Sequence, residues 1–147
     1  MNEEIVYVDM DNVLVDFPWG VQQLSEKKLA SYEGRLDEIP DFFSNLPPIE
    51  GAIDGFKRLQ QQYDTYILST GPWNNPSAWS DKLLWVQKHL PQKGYKRLIL
   101  SHNKHLNAGD YLIDDRQANG AGQFKGEHLH FGSNRFPDWD SILEYLL

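Results

Sequence analysis

The stretch IVYVDMDNVLVDF, residues 5–17, sets Ile5, Val6, Tyr7, Val8, Val13 and Leu14 around two carboxylates, Asp9 and Asp11, with Asp16 close behind. Four consecutive β-branched or aromatic residues without polar alternation read as a strand covered on both faces, the pattern of a parallel sheet. Such a strand ends here in a cluster of negative charge, which needs a physical reason.

Outward from that strand, further apolar runs predict parallel strands at Tyr66–Leu68 and Leu98–Leu100, with weaker ones at Tyr111–Ile113 and His128–Phe131. Helical spacing lies between them. Ile53, Phe56, Leu59 and Tyr63 recur three or four apart, as do Trp79, Leu83, Val86 and Leu90, with Asn75 and Pro76 fitting the cap and first turn. A last helix reads from Pro137, with Trp139, Ile142, Leu143 and Leu146 on one face. This alternation predicts an α/β fold, a Rossmann-like, mostly parallel sheet flanked by helices. Residues 18–46 break it. VQQLSEKKLASY and a second piece near Asp37–Asn45, closed by the rigid turn LPPIEG, predict a small helical cap inserted after strand one. The expected organisation is a catalytic core of residues 1–17 and 47–147 and a cap of residues 18–46.

The totals bound the function. With 147 residues, one domain is the simplest expectation. The chain has no cysteine, which excludes disulfides, thiol nucleophiles and thiolate zinc sites. Its start, MNEEIVYV, carries acid where an export signal carries base, and no stretch reaches the length of a membrane span, so a soluble, cytoplasmic protein is expected. A formal charge of −7 argues against binding DNA or RNA polymers, which are held through Lys and Arg, but not against a small phosphorylated ligand.

In an open parallel sheet, ligands bind at the carboxyl ends of the strands. Collected there are Asp9 and Asp11, then Ser69 and Thr70, Lys104, and finally Asp114 and Asp115. Asp-rich loops also serve as turns and caps, but two of them abutting buried strands, with hydroxyls and a lysine between, point to a site. Four carboxylates in one small volume force protonation or require a cation, and one lysine cannot neutralise them. All-oxygen ligands suit a hard ion, Mg²⁺ above all, shared with a phosphate. The charged strand end is then a metal and phosphate site.

These residues also carry a resemblance. DMDNVLVDF resembles the first motif of the haloacid dehalogenase superfamily, YILST the second, Lys104 the third and YLIDDR the fourth, in that order. Within the superfamily the chain most resembles the cytosolic type C 5′(3′)-deoxyribonucleotidases, with LPPIEGA, DKLLWVQKHL and LILSHNK as further cues along nearly its whole length. The resemblance implies a phosphomonoesterase that hydrolyses nucleoside monophosphates, deoxyribonucleotides in particular, with Mg²⁺ and an aspartyl-phosphate intermediate. Asp9 would be the nucleophile, and Asp11 the acid and then the base, its backbone carbonyl also reaching the metal. Ser69 would bind a phosphate oxygen and Lys104 would compensate charge. Asp114 and Asp115 would complete the metal site, either directly or through water. The second motif leaves open by one residue which of Ser69 and Thr70 meets the phosphate. Asn12 stands where the family commonly carries Gly, and Asn best tolerates the left-handed backbone such a turn needs.

Phe17, six residues past Asp11, matches a family position that stacks on the base; Trp19, Phe42, Phe43 and Trp73 are candidates to extend an aromatic surface or to pack the cap. The expected partner is a small nucleotide. Arg116 reads as structural, and His102, His105, His128 and His130 carry no assigned role. The alternatives are a phosphatase of another small ester, such as a sugar phosphate, and a non-catalytic phospho-acceptor module of the receiver type. Receivers carry their phosphorylated Asp on a middle strand of the sequence, unlike the first-strand pair here.

Overall fold

The computed structural model describes residues 4–147. Its strands are β1 Ile5–Val8, β2 Asp64–Ser69, β3 Leu98–Leu100, β4 Tyr111–Asp114 and β5 Glu127–His130, all parallel, in the order β3-β2-β1-β4-β5. The sheet therefore grows outward from β1 in one direction and then, after β3, in the other. The crevice outside the carboxyl ends of β1 and its neighbours is the switch point at which such sheets bind ligands. The α/β, parallel-sheet expectation is met.

Alternate strand residues enter two apolar clusters. Val6, Val8, Ile67, Ile113 and Leu129 join the larger, with α3 Ala52–Leu59, α4 Pro76–His89 and α5 Trp139–Leu146. Tyr7, Leu68 and Leu112 join the smaller, closed by Ala121 and Phe124 from a loop and 3₁₀ turn. Burial on both faces explains the continuous apolar runs. Trp139, nearly inaccessible, donates its indole N–H to the Val13 carbonyl at 2.8 Å and lies against Gly55, where any side chain would collide with its ring. α5 thereby supports the turn that follows β1. Its start is fixed by a reciprocal cap between Asp138 and Ser141.

Three elements differ from expectation. β5 lies one residue earlier than predicted, because Phe131 leaves the ladder for a turn in which Gly132 adopts φ 86°. The piece 21–32 is two helices, α1 Phe17–Gln22 and α2 Glu26–Ser31; Ser25 caps the second by accepting from the Lys28 amide. The piece 37–45 is two 3₁₀ turns, Leu36–Glu38 and Phe42–Asn45, separated at Pro40 and the left-handed Asp41.

A fourth difference bears on the site. The helix α4 turns Ala78, Asp81, Lys82, Trp85 and Val86 inward, whereas Leu83, predicted to be buried, is 47 % exposed. Asn75 precedes this helix but makes no side-chain cap; its amide donates to the Asp37 and Ile39 carbonyls, both at 2.9 Å. The Trp85 indole donates to Leu46 O. These bonds tie the helical insertion to α4.

Candidate active site

β1 ends at Asp9, whose amide still donates to the Ile113 carbonyl of β4. The chain then turns tightly: Val13, Leu14 and Val15 all donate to the Met10 carbonyl, with Asn12 left-handed at φ 65°. Asparagine tolerates this conformation, as its place in the motif led one to expect. The turn sends Asp9 and Asp11 to separate partners.

Asp9 is almost fully buried and accepts from Lys104 Nζ at 3.0 Å. The same ammonium donates to Asp114 Oδ2 at 2.6 Å, while the Arg116 amide donates to Asp114 Oδ1. Asp115 Oδ2 accepts from the Asn12 amide at 3.0 Å. Asp9, Asp114 and Asp115 each place one oxygen within 4.8 Å of the others. His128 Nε2 lies 3.0 Å from the Asp114 carbonyl, which can only accept, so this nitrogen carries the hydrogen.

Asp11 stands apart from that trio. Its Oδ2 accepts from Lys82 Nζ at 3.1 Å, and its Oδ1 is buried without a hydrogen-bond partner. Lys82 also donates to Ser69 Oγ at 2.8 Å and to the Thr70 carbonyl at 3.0 Å. The Thr70 hydroxyl donates away from the site, to Ser101 O. Ser69 and not Thr70 therefore shares the Lys82 ammonium with Asp11 through its hydroxyl.

The electrostatics follow from burial. Loss of hydration pushes Asp9 up to about 6, with Asp114 and Asp11 adding to the rise and Lys104 and Lys82 opposing it. Burial, then Asp9, pushes Asp115 up to about 6 as well. Burial alone would lower Lys104, but Asp9 and Asp114 outweigh it and hold the ammonium above its ordinary value. Both partners of the Asp9–Lys104 pair are therefore raised: Asp9 faces two further carboxylates, whereas Lys104 faces two carboxylates of its own. Four ionised carboxylates against the two ammonium groups of Lys82 and Lys104 leave a deficit of two charges. One divalent cation supplies that charge, and three carboxylate oxygens converging in a half-dry crevice fit a hard ion such as Mg²⁺. Asp9, Asp114 and Asp115 would hold it by their side chains. The Asp11 side chain belongs to Lys82, which leaves only its backbone carbonyl for a metal.

A cleft of about 370 Å³ opens beside Asp11 and is lined by Asn12, Phe17, Gly34, Leu36, Asp37 and Arg116. Phe17 is half-buried, stacked on Phe42 at 4.9 Å between ring centres and tilted against Phe43 at 5.9 Å. The aromatic residues thus divide: Phe17, Phe42 and Phe43 pack together with Phe17 on the cleft wall, while Trp73, 80 % exposed, lies against His102. Arg116, expected to be structural, is on the cleft wall. Asp16 serves another purpose, accepting from the Trp19 amide to start α1. A larger groove, about 470 Å³ between α4 and β3, contains none of these carboxylates.

Lys82 is the site residue that sequence reading missed. Its signal was spacing: it falls between Ala78 and Trp85 on the inward stripe of α4, where a lysine has to find anionic partners.

Residues 18–137 match the family model of the cytosolic type C 5′-nucleotidases, described as 5′ nucleotidase, deoxy (pyrimidine), cytosolic type C protein. A protein of Vibrio phage KVP40, provisionally named a 5′(3′)-deoxyribonucleotidase, is 57 % identical over 99 % of this chain and 85 % of its own length. The human 5′(3′)-deoxyribonucleotidase, cytosolic type, is 28 % identical over 94 % of this chain and 78 % of its own. Among solved structures, the Bacillus subtilis YfnB protein, provisionally a HAD-hydrolase and bound to magnesium, superposes with a TM-score of 0.65 at 15 % identity, covering 99 % of both chains. A HAD family hydrolase of Deinococcus radiodurans, with bound phosphate and sodium, gives 0.55 at 16 % identity over 98 % of this chain and 88 % of its own. Those two likenesses concern the fold; the match of sequence over most of the chain shows the family, and this protein belongs to the cytosolic type C 5′-nucleotidases.

Proposed function

We propose that this chain is a Mg²⁺-dependent phosphomonoesterase that hydrolyses deoxyribonucleoside monophosphates through a phosphoryl group carried on Asp9. One observation carries the reading: two carboxylates two residues apart are held by different lysines, Asp9 among the trio suited to a metal and Asp11 beside the cleft with one buried oxygen unengaged. The names of the relatives point to the same substrate class.

In the first step Asp9 attacks phosphorus and the ester P–O bond breaks. Asp11 gives its proton to the departing alcohol oxygen, so that a neutral nucleoside leaves. In the second step Asp11, now a base, takes a proton from water; the resulting oxygen attacks phosphorus and the bond to Asp9 breaks, releasing inorganic phosphate and restoring the Asp9 carboxylate and the protonated Asp11. One group serves both steps because the second reverses the proton movement of the first. Ser69 donates to a phosphate oxygen, and Lys104 holds Asp9 in place while offsetting charge on the phosphoryl group. Bound Mg²⁺ would supply Lewis-acid polarisation of the phosphoryl oxygens and offset the crowded carboxylates.

The core of residues 1–17 and 47–147 carries these groups. Residues 18–46 act as a small cap, supported by its bonds to α4 and by its contribution of Gly34, Leu36 and Asp37 to the cleft. Phe17 at the junction stacks on the base. The net charge of −7 disfavours a nucleic acid polymer as partner. Among the described residues no helix is long and apolar enough to cross a membrane, and a cytoplasmic site of action accords with the human relative's cytosolic type.

A panel of nucleoside monophosphates and sugar phosphates, assayed for phosphate release, tests the reading. Deoxynucleotides are expected to exceed sugar phosphates by at least about tenfold in kcat/KM, the worth of a single stacked base. Equal or reversed preference would assign the site to another small ester. Phe17→Leu, which keeps the apolar packing against Phe42, is expected to raise KM for deoxynucleotides by roughly tenfold with little change in kcat. Its KM for 4-nitrophenyl phosphate should stay near that of the wild type, as steady-state kinetics on the two substrates would show.

A further inference from the structure

Lys82 is a lysine with no free donor. It is 1 % exposed, so water does not reach it, and its ammonium has three N–H groups and three acceptors: Asp11 Oδ2, Ser69 Oγ and the Thr70 carbonyl. The ring of Phe43, from the helical insertion, covers it at 5.0 Å from the ring centre. A lysine that gripped the substrate phosphate would need a donor to spare. This one has its bonds saturated before any substrate arrives.

Saturation has two consequences for its neighbours. Ser69 Oγ already accepts a hydrogen bond from Lys82, which leaves its own proton free to be donated to another acceptor such as a phosphate oxygen. Asp11 is anchored through Oδ2, which leaves Oδ1 as the one oxygen able to carry the travelling proton. Thr70 O is the third anchor, fixing the ammonium to the end of β2 so that these two orientations are held in common.

We infer that Lys82 is a positioning residue, which aligns Asp11 for proton donation and the Ser69 hydroxyl for phosphate binding without itself touching substrate. The inference rests on the phosphatase reading above. The lysine arises from the inward face of α4, outside the strand-end loops that supply the other groups, and the cap residue Phe43 lies over it. The insertion is thereby wired to the proton donor as well as to the cleft.

The test separates positioning from mere support of the fold. The nucleoside of a deoxynucleotide leaves as an alkoxide that needs a proton, whereas 4-nitrophenyl phosphate releases 4-nitrophenolate, a stable anion that does not. In each case kcat/KM reports the step that forms the Asp9 phosphoryl group. In Lys82→Met, kcat/KM for a deoxynucleoside monophosphate should fall by about 100-fold or more, the scale of general acid catalysis, and that for 4-nitrophenyl phosphate by about tenfold or less. Equal losses on the two substrates would overturn the inference. Lys82→Arg keeps the charge but replaces the tetrahedral donor set with a planar fork. It serves if the methionine variant does not fold, and the same unequal loss is expected of it; an arginine enzyme with wild-type ratios would equally overturn the claim. Wild-type protein that hydrolysed neither substrate would instead remove the phosphatase reading on which the inference stands.

Discussion

Asp9→Asn is expected to abolish hydrolysis of deoxynucleotides, by roughly 10⁴-fold or more, while leaving the protein folded. Loss of a covalent nucleophile registers on this scale because no neighbouring group can take its place. Asp11 is anchored to Lys82, and Asp114 is held by Lys104 and the Arg116 amide, so neither is placed to substitute. The second half of the expectation follows from burial. Asp9 is raised to about 6, so its charge near neutral pH is a burden on the fold. A neutral amide of the same shape removes that burden. Without metal at pH 7.5 the variant should melt no lower than wild type, the usual opposition between stability and activity at a site of crowded charge. Phosphate-release kinetics and a thermal melt check both halves. Turnover within tenfold of wild type would remove the covalent step.

Removal of Mg²⁺ should be as damaging to activity, and its effect on stability should depend on pH in a defined direction. Asp9 and Asp115 both have folded values of about 6, above the ordinary carboxylate value of about 3.9. Between about pH 4 and pH 6 the native state therefore holds more protons than the unfolded chain, and stability falls as pH rises through that window. Above it the metal-free protein carries the full penalty. A divalent cation binds the deprotonated carboxylates and cancels that penalty. At pH 7.5, saturating Mg²⁺ is expected to raise the melting temperature by about 5–10 °C, from the mass-action gain of a ligand at about a hundred times its Kd. Near pH 4.5 the ion competes with protons, and the gain should largely vanish. Activity should disappear with EDTA and return with excess Mg²⁺. A melting gain that was independent of pH would show that the raised carboxylates are not its ligands.

Much of this was written in local pattern. β1 and β3 could be read to the residue because both are short apolar runs, and burial on two faces leaves no polar alternation to blur them. β2 extends past its apolar centre to Asp64 and Ser69, where ladder bonding outlasts hydrophobicity. The carboxylates around the metal position stood out because each ends a strand or directly follows one. Asn12 was legible too, as a left-handed turn.

What escaped depended on tertiary contact. The helix α4 was read from its leucines, but its rotation is set by Lys82, whose buried ammonium needs Asp11 and Ser69, residues far away in sequence. Those bonds outrank the burial of Leu83, since an unpaired interior ammonium costs more than an exposed isobutyl group. The different partners of the Ser69 and Thr70 hydroxyls, Lys82 and the Ser101 carbonyl, were invisible for the same reason. The candidate aromatic residues all looked alike in the sequence. Only the fold brings Phe17, Phe42 and Phe43 together and leaves Trp73 against His102.

Calorimetric titration of Mg²⁺ into the full chain at pH 7.5 addresses the metal trio most directly. One ion per chain should bind to the wild type, and binding should be lost or weakened at least about tenfold in Asp114→Asn and in Asp115→Asn, since removing either carboxylate leaves too little charge for a hard cation. Binding of undiminished strength in both variants, or none to the wild type at millimolar Mg²⁺, would contradict a metal site built from Asp9, Asp114 and Asp115.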